Sequence, residues 1–216
     1  MPIAPITSAT KWNTRNHRSN VQIKFGRNVM EAENIQVEMT PNPNAWKFVL
    51  PGPVIAEGNA TFRSFEDARD IPLAAALIRT GHVTQVYFFD NYITISQDGD
   101  ISWDILADVI RTRIADFFDN HDPSSVTPDK SGPLSFEINQ ELLERINKLL
   151  EETVRPALQG DGGDMQIAGF DDVTKTLKIA YQGACGSCPS ATAGTLVAIQ
   201  SILQESIDPE ITVTAV

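Results

Sequence analysis

Cys185 and Cys188 are the only two cysteines in a chain of 216 residues, and two residues separate them in Gly183-Ala184-Cys185-Gly186-Ser187-Cys188-Pro189-Ser190. A strand-like apolar run precedes them and a helix-like run follows. Thiols at this spacing can converge on a metal, exchange a disulfide, or pack in a turn. Pro189 and Ser190 suit a helix start. Both sulfurs therefore belong near unpaired backbone N–H groups and the positive end of a helix dipole, where thiolate is favoured over thiol. The small residues Gly183, Ala184, Gly186 and Ser187 let the backbone approach a bulky ligand and donate N–H groups to its sulfur atoms.

A tetrahedral sulfur-rich site takes four ligands, and this chain offers two. The three histidines, His17, His82 and His121, lie outside the C-terminal part and have no metal-motif spacing to the pair. If a metal is held, the missing thiolates come from a second chain, most simply across a twofold axis. From the residues alone three readings stay open: a cluster or zinc shared between chains, a dithiol-disulfide exchanger, and two small cysteines packed in a turn.

The elements that must position this pair fall into two groups. In the first, Ile35 to Met39 alternates as a strand and stops at Thr40-Pro41-Asn42-Pro43-Asn44, where two prolines force a turn. Trp46 to Leu50 resumes an extended pattern until Pro51-Gly52-Pro53, and a short strand is expected around Thr61 and Phe62. Ile71 to Thr80 predicts a helix with Pro72 in its first turn. Val83 to Phe89 and Tyr92 to Gln97, rich in β-branched and aromatic residues, predict a hairpin around Asp90-Asn91. Ser102 to Phe118 predicts an amphipathic helix with Ile105, Leu106, Val109, Ile110, Ile114, Phe117 and Phe118 on its apolar face and Asp104, Asp108 and Asp116 solvated.

From Asp119 to Gly132 the apolar pattern collapses, which marks a linker in which His121 reads as a solvated side chain. In the second group a helix carries Leu142, Leu143, Ile146, Leu149, Leu150 and Val154, and Pro156 ends or kinks it. Gln159 to Asp164, with three glycines in six residues, reads as a turn. Strands at 165–170 and 176–182, the cysteine loop, a helix over 191–206 and a last strand at 211–216 complete it. The expected class is α+β: two small α/β domains on a flexible linker, the second running helix, hairpin, CxxC loop, helix, strand. Val21 to Phe25 is a further short strand.

Composition excludes several classes. The net charge of −11 repels phosphate backbones, so nucleic acid is not expected as a partner. No apolar run approaches a bilayer span, so no membrane is expected. Two cysteines are too few for a disulfide framework and point to a reducing compartment. Residues 1–30 carry Lys11, Arg15, Arg18, Lys24 and Arg27 and no acidic residue, which suits an organellar targeting peptide. Weak amphipathicity and Pro2 and Pro5 favour a plain bacterial N-terminus instead, so bacterial cytoplasm is the expected location, with the mitochondrial matrix as the alternative.

At this point the motifs resemble a known family. Arg155-Pro156-Ala157-Leu158-Gln159-Gly160-Asp161-Gly162-Gly163-Asp164, the cysteine stretch and Thr195-Leu196 resemble the C-terminal domain of the NifU-like iron-sulfur scaffold and carrier proteins. Thr40 to Phe48, Pro72-Leu73-Ala74, Val83 to Phe89 and Trp103-Asp104 are similar to the N-terminal domain found with it in the Nfu subfamily. The resemblance implies an irregular arm over 1–34, an N-terminal domain over 35–118, a linker over 119–136 and a C-terminal domain over 137–216.

It further implies a carrier, not an enzyme, whose Cys185 and Cys188 bind a labile 4Fe-4S cluster bridging a homodimer. Such a carrier receives the cluster from an upstream donor and passes it to client apoproteins. The other reading is a dithiol-disulfide oxidoreductase. The family assigns no role to Asp161 through Asp164, which read best as a sharp turn before a strand. Trp46 and Phe48 read as core residues rather than client-facing ones. Residues 1–34 match neither domain.

Overall fold

In a computed structural model the described residues are 30–129, 140–187 and 189–216. The strand expected at Val21 to Phe25 lies outside them. Two hydrophobic cores form, each under its own sheet, in the α+β arrangement expected.

The first sheet contains β1 (Gln36–Met39), β2 (Ala45–Val49), β3 (Asn59–Phe62), β4 (Val83–Phe89) and β5 (Tyr92–Gln97). Its order is β1-β2-β5-β4-β3, antiparallel throughout. Register sorts its side chains. Phe48, Ile93, Phe88 and Ala60 follow one another across four strands on the inner face, all buried. Against that face pack α2 (Pro72–Ile78) and α3 (Trp103–Phe118), through Leu73, Leu77, Leu106, Ile110 and Ile114. A shorter α1 (Phe65–Ala68) opens on a Ser64–Asp67 capping box, which satisfies N–H groups at its start.

The α3 face differs from expectation. Trp103, Leu106, Ala107, Ile110 and Ile114 are buried, whereas Ile105 and Val109 are exposed. The buried stripe is narrower than the apolar pattern, because Trp103 fills the space at the helix start. Its ring stacks on Trp46 at 4.8 Å, and its Nε1–H donates to Pro43 O at 2.9 Å, which ties down the Thr40–Asn44 turn.

The chain after α3 stays against this core. Val126 is buried in it, and the Asp119 carboxylate accepts from the N–H of Met30. His121, expected as a solvated linker side chain, lies with Nε2 2.6 Å from Val54 O and stands edge-on to the Phe88 ring. The polar composition of this stretch conceals one anchoring valine.

The second unit contains α4 (Gln140–Thr153), α5 (Arg155–Gly160), β6 (Gly163–Asp171), β7 (Thr176–Gly183), α6 (Pro189–Ser206) and β8 (Thr212–Ala215). Pro156 divides α4 from α5, where a ring without an N–H suits a first-turn position. The turn expected over 159–164 shrinks to Asp161 and Gly162, since α5 runs to Gly160 and β6 begins at Gly163. β6 and β7 form an antiparallel hairpin, and β8 adds parallel to β7. A parallel pair needs a crossover, and α6 supplies it. Ile146, Leu150, Met165, Ile179, Ile199 and Leu203 close the core between helices and sheet.

Candidate metal centre

The cysteine loop lies where β7 hands the chain to that crossover helix. β7 ends at Gly183, a 3-10 turn runs over Ala184–Ser187, and α6 starts at Pro189. The start of α6 thus follows the turn directly, in keeping with the residue types. Cys185 is half-buried and packs against the second core. Cys188 lies outside the described residues.

Gly163 forms the floor beneath the thiol. A Cβ built there would stand 2.6 Å from Cys185 Sγ and 2.9 Å from Gln182 O, so no side chain fits. The Ala184 N–H donates to Gly162 O at 3.1 Å and joins the cysteine turn to the start of β6. Two of the glycines in the 159–164 stretch therefore bear directly on the loop.

Asp164 is buried, with its Oδ1 3.5 Å from Arg155 Nη1 and 2.7 Å from the Met165 N, whose hydrogen it accepts. Burial is the largest influence on its carboxyl and holds it above the ordinary aspartate range, against the pull of Met165 and Arg155. Tyr181, on β7 just before the loop, has its hydroxyl pushed up to about 12, first by burial and then by the neighbouring Cys185. The surroundings of the loop are thus low in dielectric on the protein side.

The first unit also contributes, which the sequence does not foreshadow. The Pro41–Asn42 turn and Leu158 line, with Cys185, a cavity of about 50 Å³. Buried Asn42 donates from Nδ2 to Ala184 O at 2.9 Å. In the sequence the turn reads only as a chain reversal, and nothing local links Asn42 to Ala184, which is 142 positions away and next to the cysteine. Elsewhere, His82, Asp98 and Asp100 bring ligand-type atoms within 4.8 Å of one another, but all three are exposed. No described helix is long and apolar enough to cross a membrane.

A two-domain α+β protein with a cysteine-bearing turn ahead of a crossover helix is the class that this fold and site define. Comparison with known proteins gives the family. Residues 35–121 match the model described as "Scaffold protein Nfu/NifU N terminal" and residues 146–214 the model "NifU-like domain". The chain is 36% identical over 178 residues to the "NFU1 iron-sulfur cluster scaffold homolog, mitochondrial" of Homo sapiens, covering 82% of this chain and 69% of that protein. It is 33% identical over 218 residues to the homolog of the same name in Drosophila sechellia, covering 92% and 75%. Against "NifU-like protein 4, mitochondrial" of Arabidopsis thaliana it is 34% identical over 177 residues, 80% of this chain and 62% of that one. The chain belongs to the Nfu/NifU scaffold family. It spans less than two thirds of the length of the two plant relatives, 62% and 64%.

The expected bacterial cytoplasmic location is corrected by the same relatives, whose plant, human and fly members are named as mitochondrial. The basic, acid-free composition of residues 1–30 agrees with them, and Pro2 and Pro5 do not outweigh it.

Proposed function

We propose that the chain is an iron-sulfur cluster carrier in which Cys185 and Cys188 supply two of the four thiolates that hold a 4Fe-4S cluster, a second copy supplying the others. The observation that carries this reading is the half set of ligands. Two thiols at metal-ligand spacing precede a helix, in a chain with no third cysteine. The donor set fits: thiolate ligation, small neighbours, and a helix start that favours thiolate.

The cluster is cargo rather than a resident group. A seam between two copies leaves each thiolate open to replacement by a client thiolate, one at a time. The exchange breaks one iron-sulfur bond for each one formed and changes no oxidation state. The released cysteine leaves as thiolate or takes up a proton. No bond of a substrate is made or cut by the chain itself, so the role is that of carrier and not enzyme.

In this reading 137–216 is the carrier module, 35–118 a module that recognises clients or tunes the carrier, 119–136 the tether and 1–34 an arm. A donor upstream and apoprotein clients downstream are the partners, in a mitochondrial setting. Anaerobic reconstitution tests it: the brown absorbance of a cluster is expected in the native sequence and absent in Cys185→Ser and in Cys188→Ser. Equal cluster content in either variant would contradict the assignment.

A further inference from the structure

The outer face of the first sheet is polar in type, yet covered. Tyr92, Thr94 and Ser96 alternate with the inner Ile93 and Ile95, and such a pattern normally leaves its polar face in water. All three are nevertheless buried, because the cysteine-bearing domain rests on them. Thr94 Oγ1 donates to Gly162 O at 2.7 Å, Gln85 Nε2 to Gly183 O at 3.1 Å, and Asn42 Nδ2 to Ala184 O at 2.9 Å. Two of these carbonyls immediately precede Cys185, and the third also accepts the Ala184 N–H. The fit is close: a Cβ on Gly162 would stand 3.0 Å from Thr94 Oγ1 and 3.3 Å from Lys47 Cβ, at a backbone φ of +76°.

We propose that the N-terminal domain is a reversible latch on the cysteine loop, held by Asn42, Gln85 and Thr94. Docked, it stows Cys185; released, it opens the loop to a second copy and the shared cluster. The purpose, though not the latch itself, rests on the carrier reading above. Two observations make the docked form closed and reversible. The cavity of about 50 Å³ between Cys185 and the Pro41–Asn42 turn has room for about one or two waters, and not for a cluster with two more thiolates from another chain. The hydroxyls of Tyr87, Tyr92 and Ser96 on the covered face are buried without a hydrogen-bond partner, so docking desolvates groups that release would return to water. The hydrogen bonds hold the domains together while these orphaned hydroxyls keep the hold weak.

Thiol reactivity in iron-free protein tests the latch apart from the cluster. In a Cys188→Ser background, where Cys185 is the one thiol left, the rate of alkylation by a maleimide is compared with and without Asn42→Ala, Gln85→Ala and Thr94→Val together. Loss of three such hydrogen bonds should raise the rate at least about tenfold and enlarge the radius of gyration in X-ray scattering. Thr94→Val alone, which preserves shape, should raise it roughly threefold. An unchanged rate overturns the latch. So does an acceleration that appears only with collapse of the near-ultraviolet dichroism of the Trp46–Trp103 pair, since exposure would then come from unfolding. No iron enters these measurements, so a failure of cluster binding does not alter their outcome. Cluster loading without a latch effect sinks the latch alone.

Discussion

Gly163 carries no side chain because Cys185 Sγ occupies the place where one would begin. Gly163→Ala should cost about 1–3 kcal/mol in urea unfolding, since two of the three atoms it meets are backbone and cannot step aside. Gly160→Ala, with nothing within 4 Å, serves as control and should be neutral or slightly stabilising. Asp164 makes the second residue-scale prediction. Burial raises its pKa in the fold, so as pH climbs the unfolded chain ionises first and the fold keeps its proton longer. The stability tied to this group is therefore full below the ordinary aspartate pKa and is lost as pH rises through the folded value. Asp164→Asn removes that decline. Its stability relative to the native sequence should improve between about pH 4 and pH 7 in denaturant titrations; a constant difference would contradict the burial argument. At this scale the two cysteines are plain in the sequence, because type and spacing carry the chemistry. The need for glycine at 163 is hidden there, because the atom that demands it belongs to residue 185.

Elements are the most legible level, and the reason is periodicity. The hairpin of β4 and β5 and the helix α3 follow from runs whose alternation or helical spacing extends over many residues. Departures come where a single residue overrides the pattern. Trp103 displaces Ile105 and Val109 from the core, and Val126 draws a polar stretch down onto it. Trp103 also anchors the turn that overhangs Cys185. Trp103→Phe keeps an aromatic ring but loses the Nε1–H bond to Pro43 O. It should cost about 1–2 kcal/mol in urea unfolding, with the loss of the tryptophan stacking signal in the near-ultraviolet. A variant as stable as the native sequence would show that the turn is held by its prolines alone.

At the scale of the whole molecule, sequence patterns stop being informative. Nothing in Tyr92-Ile93-Thr94-Ile95-Ser96 distinguishes a face that meets water from one that meets another domain, because the partner carbonyls lie 68 positions away for Thr94 and 98 for Gln85. With both domains together, the cysteine loop has two neighbours competing for one side. The N-terminal sheet covers it in the docked chain, and a second copy must reach it for four thiolates to meet. The acidic net charge of −11 adds a mild repulsion between copies, so the cluster rather than the protein surface is expected to hold the pair together. The most direct measurement is Mössbauer spectroscopy together with native mass spectrometry on anaerobically reconstituted protein. A 4Fe-4S signal, with one cluster per two chains that separate on its removal, is the predicted result. A cluster on each single chain, or zinc in place of iron, would contradict the account.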